Sequence, residues 1–462
     1  MAVPNVGSEP PPVDRYRRLP TGRHGLDPEA IKRDQRERLQ SALIELIDQG
    51  GYAAVRILDL ARLARVSQPT FYSLYKDKEE LFIATYDSVA ERTASTVIET
   101  YDREGSKDER LRVALRAFAE MAAADPQAMS LFVLGAYGAG PNVLAHRRRA
   151  LDELERRIRA SRDRAAPDET TDLTVKFIIG GFREVTAARL RQGHAAELPG
   201  LAEELSSWAA SYPSRLAADL PEPPDELCSG AGETAGFGSE RARRAEGRLP
   251  SGRSDLPRKL VAKSQRERIV DATAAIVAEK GLAKLTIPEI ARRANVSHQT
   301  FYEMYPSKRA AFLGAQKVGM HQALQVTVEA YDAHRDSWPC AVEAGLRALI
   351  DYLSSEPAHA HLSVVDTFAA SPEAIEIRST ALKAFAAYLE PGYGLAPEVS
   401  PVAAEAIAGG IWQVLHDYIA GDRLAALPSA APHLTYLALT PFLGPRGAAE
   451  AALAQRRAPE SP

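Results

Sequence analysis

RVSQPTFYSLYKDK, Arg65–Lys78, returns as NVSHQTFYEMYPSK, Asn295–Lys308, at a constant offset of 230 residues. The match extends upstream. RLPTGR (Arg18–Arg23) recurs as RLPSGR (Arg248–Arg253), and QRER (Gln35–Arg38) recurs as QRER (Gln265–Arg268), both at the same offset of 230. No insertion separates the three stretches in either copy, so one chain carries the same module twice. The spacing within the module predicts short helices joined by tight turns. Ser67 and Ser297 stand as N-caps ahead of QPTFYSLY and HQTFYEMY. Pro69 falls in the first turn, where a missing N–H is harmless.

Upstream, Leu39, Leu43, Leu46 and Ile47 recur at helical spacing, as do Ile269, Ala272, Ile276 and Val277. Each of these helices ends near a glycine, Gly50–Gly51 or Gly281. A second, shorter helix is expected from about Leu58 to Arg65 and from about Pro288 to Asn295. Thr286 is a good N-cap for the latter, with Pro288 and Glu289 suited to its first turn. Arg56 replaces that threonine in the first copy and cannot cap, which predicts a weaker start by about 1 kcal/mol. A longer helix begins near Lys78 and near Lys308.

The remainder of each copy also carries helical periodicity, over Leu111–Ala124, Leu144–Arg162, Leu173–Arg191 and Leu201–Tyr212, then Ala341–Ser354, Ile375–Leu389, Val402–Ile419 and His433–Phe442. No segment alternates with period two over strand length, so the fold class is all-α, built as two consecutive units. The expected division is a basic arm (1–30), a first module (31–86), a first helical regulatory domain (87–220), a linker with a second basic arm (221–262), a second module (263–316), a second helical regulatory domain (317–445) and a disordered tail (446–462). The linker reading rests on PEPPDELCSGAGETAGFGSE, Pro221–Glu240, which is rich in Pro, Gly and Ser.

At 462 residues, 45% apolar and 26% charged, the chain has the composition of a soluble globular protein. The net charge of −4 does not itself suggest nucleic acid, but its distribution does. Eight basic residues face four acidic ones between Arg15 and Arg38, and ten face three between Arg241 and Arg268. Cys228 and Cys340 have no CxxC context and no histidine at ligand spacing, which argues against a disulfide framework and a metal site. No cofactor is expected. The N-terminus has no apolar signal segment and no run is long enough to span a bilayer, so the expected location is cytoplasmic.

Helix, tight turn, Ser-capped helix, then a Lys opening a longer helix is a helix-turn-helix arrangement. VSQPTFYSLYKDKEEL and VSHQTFYEMYPSKRAAF closely resemble the DNA-binding end of the tetracycline-repressor (TetR) family of transcriptional regulators. The resemblance covers about Gln35–Tyr86 and Gln265–Gln316, and the RLPxGR arm looks like the N-terminal extension of many members. It implies that Ser67, Gln68, Thr70, Tyr72, Tyr75 and Lys78 form one DNA-contacting set. Thr286, Ser297, His298, Gln299, Thr300, Tyr302, Tyr305 and Lys308 form the other. A major groove about 12 Å wide admits such a helix. Phe71 and Phe301 would point into the core, Tyr75 and Tyr305 could either touch phosphate or pack, and Lys78 and Lys308 would reach phosphate. Arg18, Arg23, Arg248 and Arg253 of the arms would enter the minor groove.

The two reading helices differ: Gln68 aligns with His298, Pro69 with Gln299 and Ser73 with Glu303. Family members usually pair two identical reading helices, whereas this chain holds two unlike ones. The expectation is an intramolecular pseudo-dimer on an asymmetric operator, as a monomer or as a homodimer of such chains. Repression with release by a small apolar effector is the expected regulation. Pocket candidates are Phe118, Met121, Phe132 and Tyr137 in the first copy and Tyr352, Phe368, Tyr388 and Trp412 in the second. Each of these aromatics is more often core than pocket. The alternative is a DNA-bound adaptor with one working module. No nucleophile elbow, P-loop, HExxH or dinucleotide fingerprint supports an enzyme.

Overall fold

The computed structural model describes residue 16 and residues 27–102, 105–134, 171–213, 220, 258–367 and 371–454, with scattered positions between 142 and 160. All the described elements are helical, with no strand among them. The chain divides into two compact units, Met1–Val89 and Ala90–Pro462.

The first unit holds α1 (Pro28–Gly50), α2 (Ile57–Leu63), α3 (Gln68–Leu74) and the start of α4 (Lys78–Tyr101). Asp27 caps α1, with Pro28 following at the first helical position, where no N–H is required. Gly51 ends it at φ 73, ψ 161, a conformation open essentially to glycine alone. Leu39, Leu43, Leu60, Phe71 and Phe82 are fully buried and form the core of this three-helix unit.

The second unit continues with α5 (Lys107–Ala124), α6 (Pro126–Leu134), α7 (Asp172–Arg191) and α8 (Leu198–Ala210) of the first copy. The second copy begins with α9 (Arg258–Lys280), α10 (Ile287–Arg293), α11 (His298–Met304) and α12 (Lys308–Asp332). It goes on through α13 (Trp338–Ser355), α14 (Pro357–Ala360), α15 (Pro372–Ala387), α16 (Val402–Ala420) and α17 (Ala431–Leu453). Ser106, Thr171, Ser307 and Ser371 each accept a bond from the backbone N–H three residues on, which fixes the starts of α5, α7, α12 and α15.

Two expectations need correcting. The tail assigned to 446–462 is helical as far as Leu453, with Ala448, Ala449 and Ala452 buried. Gly444 (φ 69) and Pro445 break α17 rather than end it, and the alanine-rich stretch beyond has the propensity to resume. The hydroxyl cap expected at the start of α10 is also absent. Thr286 makes no side-chain cap bond, and Arg56 instead pairs with Asp59 at 2.7 Å, so neither helix is capped by a hydroxyl. Glu289 in turn pairs with Lys280 and Arg292, so both starts rely on local ion pairs.

One apolar core in the second unit draws on both copies. Leu173, Phe177, Trp208 and Tyr212 from the first pack with Ile407, Trp412, Leu434 and Leu437 from the second. Its axis is the packing of α7 against α16, which two glycine pairs allow to come close. Gly180–Gly181 and Gly409–Gly410 lie 229 residues apart in sequence. A Cβ on Gly181 would stand 2.6 Å from the Ala406 carbonyl oxygen, and one on Gly410 would stand 2.7 Å from that of Phe177. Ala406 and Phe177 are themselves 229 residues apart, so the contact is reciprocal. That reciprocity is the signature of a two-fold interface, here between two parts of one chain.

Polar groups close the same surface. Arg183 donates to Gln413 at 2.8 Å, Arg189 to Glu405 at 3.0 Å, and Lys176 pairs with Asp417. Glu184 accepts from Arg378 at 2.7 Å and from Arg191 at 3.3 Å with both Glu184 and Arg378 buried. Burial works to raise the Glu184 carboxyl, but the two guanidiniums outweigh it and hold it below the usual carboxylate value. Asp417 is likewise raised by burial and lowered further by His416 and Lys176, ending well below its usual value. For Glu405 burial prevails over Arg189 and the carboxyl is raised.

Candidate nucleic-acid interface

Each module builds its exposed helix in the same way. The turn before it passes through Arg65 at φ 55 or Asn295 at φ 51, the left-handed region that non-glycine residues seldom adopt. Asn tolerates that conformation, since its short side chain bonds locally; Arg has no such compensation. What holds the turn is the last residue of QRER. Arg38 Nη1 donates to the Ala64 carbonyl at 2.6 Å and to that of Arg65 at 3.3 Å, while its other nitrogens bond Asp34. Arg268 Nη1 donates to the Asn295 carbonyl at 3.1 Å. Arg38 is buried, so it belongs to the scaffold rather than to the basic stripe in which its charge was counted.

Beyond the turn, the Ser67 hydroxyl accepts from the Thr70 N–H at 3.1 Å and Ser297 from the Thr300 N–H at 3.0 Å. The cap starts α3 and α11 with the same exposed face outward. Ser67, Gln68, Tyr72 and Ser73 are exposed on one, and Ser297, His298, Gln299, Tyr302 and Glu303 on the other. Tyr72 and Tyr302 are both 57% exposed although each ring packs edge-on against a core phenylalanine, Phe71 or Phe301. Both modules thus carry an open aromatic at the same position of the outward face. Thr70 and Thr300 are half-buried, each sharing a hydroxyl contact with its capping serine.

Five of the expected contact residues sit differently. Tyr75 and Tyr305 are buried beside Phe71 and Phe301, and burial pushes both phenols up; packing, not phosphate, is their role. The Lys78 ammonium donates to the carbonyls of Tyr52 and Val55 at 2.9 Å and lies over the Tyr52 ring. Burial pulls its pKa down. Lys308 donates to the Leu285 carbonyl at 2.9 Å. Both lysines thus tie the start of the long helix to the loop before α2 or α10, and their charge is directed inward. Thr286, at the start of α10, contributes no cap. The arm residues Arg18, Arg23, Arg248 and Arg253 lie outside the described residues.

The exposed faces are not equivalent. Gln299 Nε2 donates to Glu303 Oε1 at 3.1 Å, which fixes the amide and leaves a carboxylate on the outward face of α11. On α3 the aligned positions are Pro69 and Ser73, and the Ser73 hydroxyl donates back to the Thr70 carbonyl at 2.7 Å. At these two positions α11 exposes an amide and a carboxylate and α3 neither; the exposed amide of α3 is Gln68, one position earlier.

The model for the tetR family of bacterial regulatory proteins matches residues 39–85 and again residues 269–314. Both modules belong to the tetR family. The chain thus carries two TetR-type DNA-binding modules in tandem. Among solved structures it is similar to the fatty acid degradation regulator FadR from Bacillus halodurans, at 16% identity over 37% of this chain and 96% of that one, with a TM-score of 0.34. It is also similar to a TetR family transcription regulator from Marinobacter aquaeolei VT8, at 16% identity over 37% of this chain and 94% of that one, with a TM-score of 0.29. No curated protein matches the chain.

The helical remainder of the second TetR-type copy holds a partly open cavity of about 90 Å³. Met320, Leu346, Leu349, Phe385 and Leu415 make its wall apolar, and the candidates Tyr352, Tyr388 and Trp412 line it. Phe368 and Tyr137 lie outside the described residues. Phe118 and Met121 are half-buried on α5 and Phe132 is buried on α6, none of them at this cavity. Two lining residues escaped the sequence reading, His359 and Ser363. His359 Nδ1 and Ser363 Oγ are buried without a hydrogen bond, while His359 Nε2 lies 3.2 Å from Asp271 of α9. Their i, i+4 spacing in PAHAHLSVV is a signal visible in the sequence. Among the described residues no cluster of His, Cys, Asp and Glu could hold a metal, and no helix is long and apolar enough to cross a membrane.

Proposed function

We propose that the protein represses transcription as an intramolecular pseudo-dimer. Its two unlike modules would read one asymmetric operator, and a small effector in the second copy would release them. The observation that carries this reading is the reciprocal packing of α7 on α16, in which Gly181 approaches Ala406 as Gly410 approaches Phe177. A two-fold contact between unlike copies brings one reading helix of each kind into an assembly. Half-sites would then be related, through shared Thr and Tyr at matching positions, and not identical. Gln299 would bond adenine, and Glu303 would accept from cytosine, in the second half-site alone. Gln68, Thr70 and Tyr72 would contact the first half-site, and His298, Thr300 and Tyr302 the second.

The effector reading rests on the cavity chemistry. An apolar wall with unpaired His359 Nδ1 and Ser363 Oγ suits a small apolar molecule with one hydrogen-bonding end. The bond from His359 to Asp271 leads from the cavity to the first helix of the second module, a route by which a ligand would bias DNA binding. Coupling of this kind is typically worth about 1–3 kcal/mol.

Separate substitution of Tyr72 and Tyr302 tests the pseudo-dimer against a one-module adaptor. On a selected operator fragment both Tyr72→Ala and Tyr302→Ala should weaken binding about tenfold or more. Loss from only one of them would support the adaptor.

A further inference from the structure

The surface that joins the copies carries a charge pattern that a two-fold interface between like halves could not tolerate. The charged residues of α7 that bond across to α16 are Lys176, Arg183 and Arg189, opposite Asp417, Gln413 and Glu405, while Glu184 of α7, against Gly409, is held by Arg378 and Arg191. Under the 229-residue correspondence set by the glycine pairs, Lys176 is equivalent to Glu405, and Ala188 and Arg189 are equivalent to Asp417 and Tyr418. The position of Lys176 therefore always faces the position of Asp417, and the position of Glu405 always faces that of Arg189. In the pairing seen, both encounters join opposite charges. Placing α7 against a second α7 would set Lys176 against Arg189 at both ends of the contact. Placing α16 against a second α16 would set Glu405 against Asp417 at both ends.

These groups are shielded enough for the pattern to matter. Lys176 and Asp417 are 14% and 16% exposed, and Arg189 and Glu405 are 18% and 30% exposed. Charges in that setting are weakly screened by salt, and like charges brought together there exclude the wrong partner. The glycine pairs, by contrast, are the same in both helices and would admit any of the three combinations. Backbone closeness permits pairing and charge decides which pairing occurs.

We infer that Lys176, Arg189, Glu405 and Asp417 form a pairing code that joins the first copy only to the second and forbids like-with-like association. This rests on the pseudo-dimer reading and adds a consequence to it: every pairing contact, within one chain or between chains, joins a first copy to a second. A like-with-like contact would set like charges together at both of its ends.

The test uses full-length chains. One variant, Lys176→Glu with Arg189→Glu, makes both helices acidic; another, Glu405→Lys with Asp417→Lys, makes both basic; a third carries all four changes. Mass by sedimentation and thermal midpoint are read for each at low salt. The native chain should sediment at its 50.1 kDa mass. The acidic and basic variants should each melt at least about 5 °C lower, and mixing them should give mixed dimers of twice the chain mass. The fourfold variant should regain the native midpoint. Acidic and basic variants that melt with the native chain and ignore one another overturn the code while leaving the pseudo-dimer standing. So does a fourfold variant no better than either, which keeps the test decisive if the other two fail to fold. A native chain that is dimeric, with its assembly unchanged in the acidic and basic variants, overturns the pseudo-dimer itself.

Discussion

Gly180 and Gly409 occupy each other's side-chain space: a Cβ on Gly180 would lie 2.9 Å from the Gly409 carbonyl oxygen, and one on Gly409 would lie 3.0 Å from that of Gly180. Neither obstacle is a flexible side-chain tip, so neither can swing aside. The two helices meet at backbone distance because both residues lack a side chain, and this closeness brings the flanking charged groups of the two copies within bonding range.

Substitution at this point should be costly. Gly180→Val or Gly409→Val should destabilise the chain by about 1–3 kcal/mol, the usual penalty for overpacking a closed core. Gly200, inside α8, has nothing within 4 Å of its missing Cβ, so Gly200→Ala should stabilise by about 0.5–1 kcal/mol. Thermal melts of the three variants check both signs. A harmless Gly180→Val would show that the helices part readily.

The Glu184–Arg378 pair ties the copies together at a buried site. Removing one partner strands the other charge, so Arg378→Ala should cost about 3–5 kcal/mol. A melt of the variant against the native chain at neutral pH gives this directly.

Acid should weaken the same surface. Glu184 and Asp417 are held below their ordinary values in the folded chain, so their contribution is complete above the ordinary carboxylate range and is lost as pH falls through the depressed values. Glu405 is raised and acts with the opposite sign: its contribution is present below the ordinary value and declines as pH rises through the raised one. With two depressed groups against one raised, the midpoint should drop below about pH 4. Glu184→Gln should be less stable at neutral pH and lose less on acidification. Parallel pH profiles for the two proteins would contradict this assignment.

Arg38 should act on stability before DNA. Arg38→Ala leaves the Ala64 carbonyl without its donor and Asp34 without its partner, at a cost of about 1–3 kcal/mol to the first module. Hydrogen exchange over α2 and α3 should accelerate, and DNA binding by the refolded fraction should be unchanged. A variant that stays as protected as the native module but loses DNA would make Arg38 a phosphate contact after all.

Local features of the fold were legible from the sequence because they depend on neighbours in the chain. The serine caps at Ser67 and Ser297, the glycine at Gly51 and the burial of Phe71 and Phe301 all follow from residues within one turn. The inward lysines were not legible: Lys78 reaches carbonyls 23 and 26 residues earlier, and nothing in its own neighbourhood marks it as different from a phosphate contact. Arg38 was hidden in a basic run for the same reason. The cross-copy pairs were further out of reach, with Lys176 and Asp417 separated by 241 positions. The glycine doublets were in plain view inside predicted helices, where glycine costs stability unless something needs the space. Their 229-residue spacing against 230 for the modules is a net change of one residue between module and pairing surface.

The central claim is that two unlike modules on one chain read one asymmetric site. Selection of bound fragments from genomic DNA, followed by footprinting of the best fragment at physiological salt, tests it most directly. The account predicts one protected site with two related, non-identical half-sites, the second altered in preference by Gln299→Ala and the first not. A perfectly palindromic site, or equal loss from both half-sites in that variant, would contradict it.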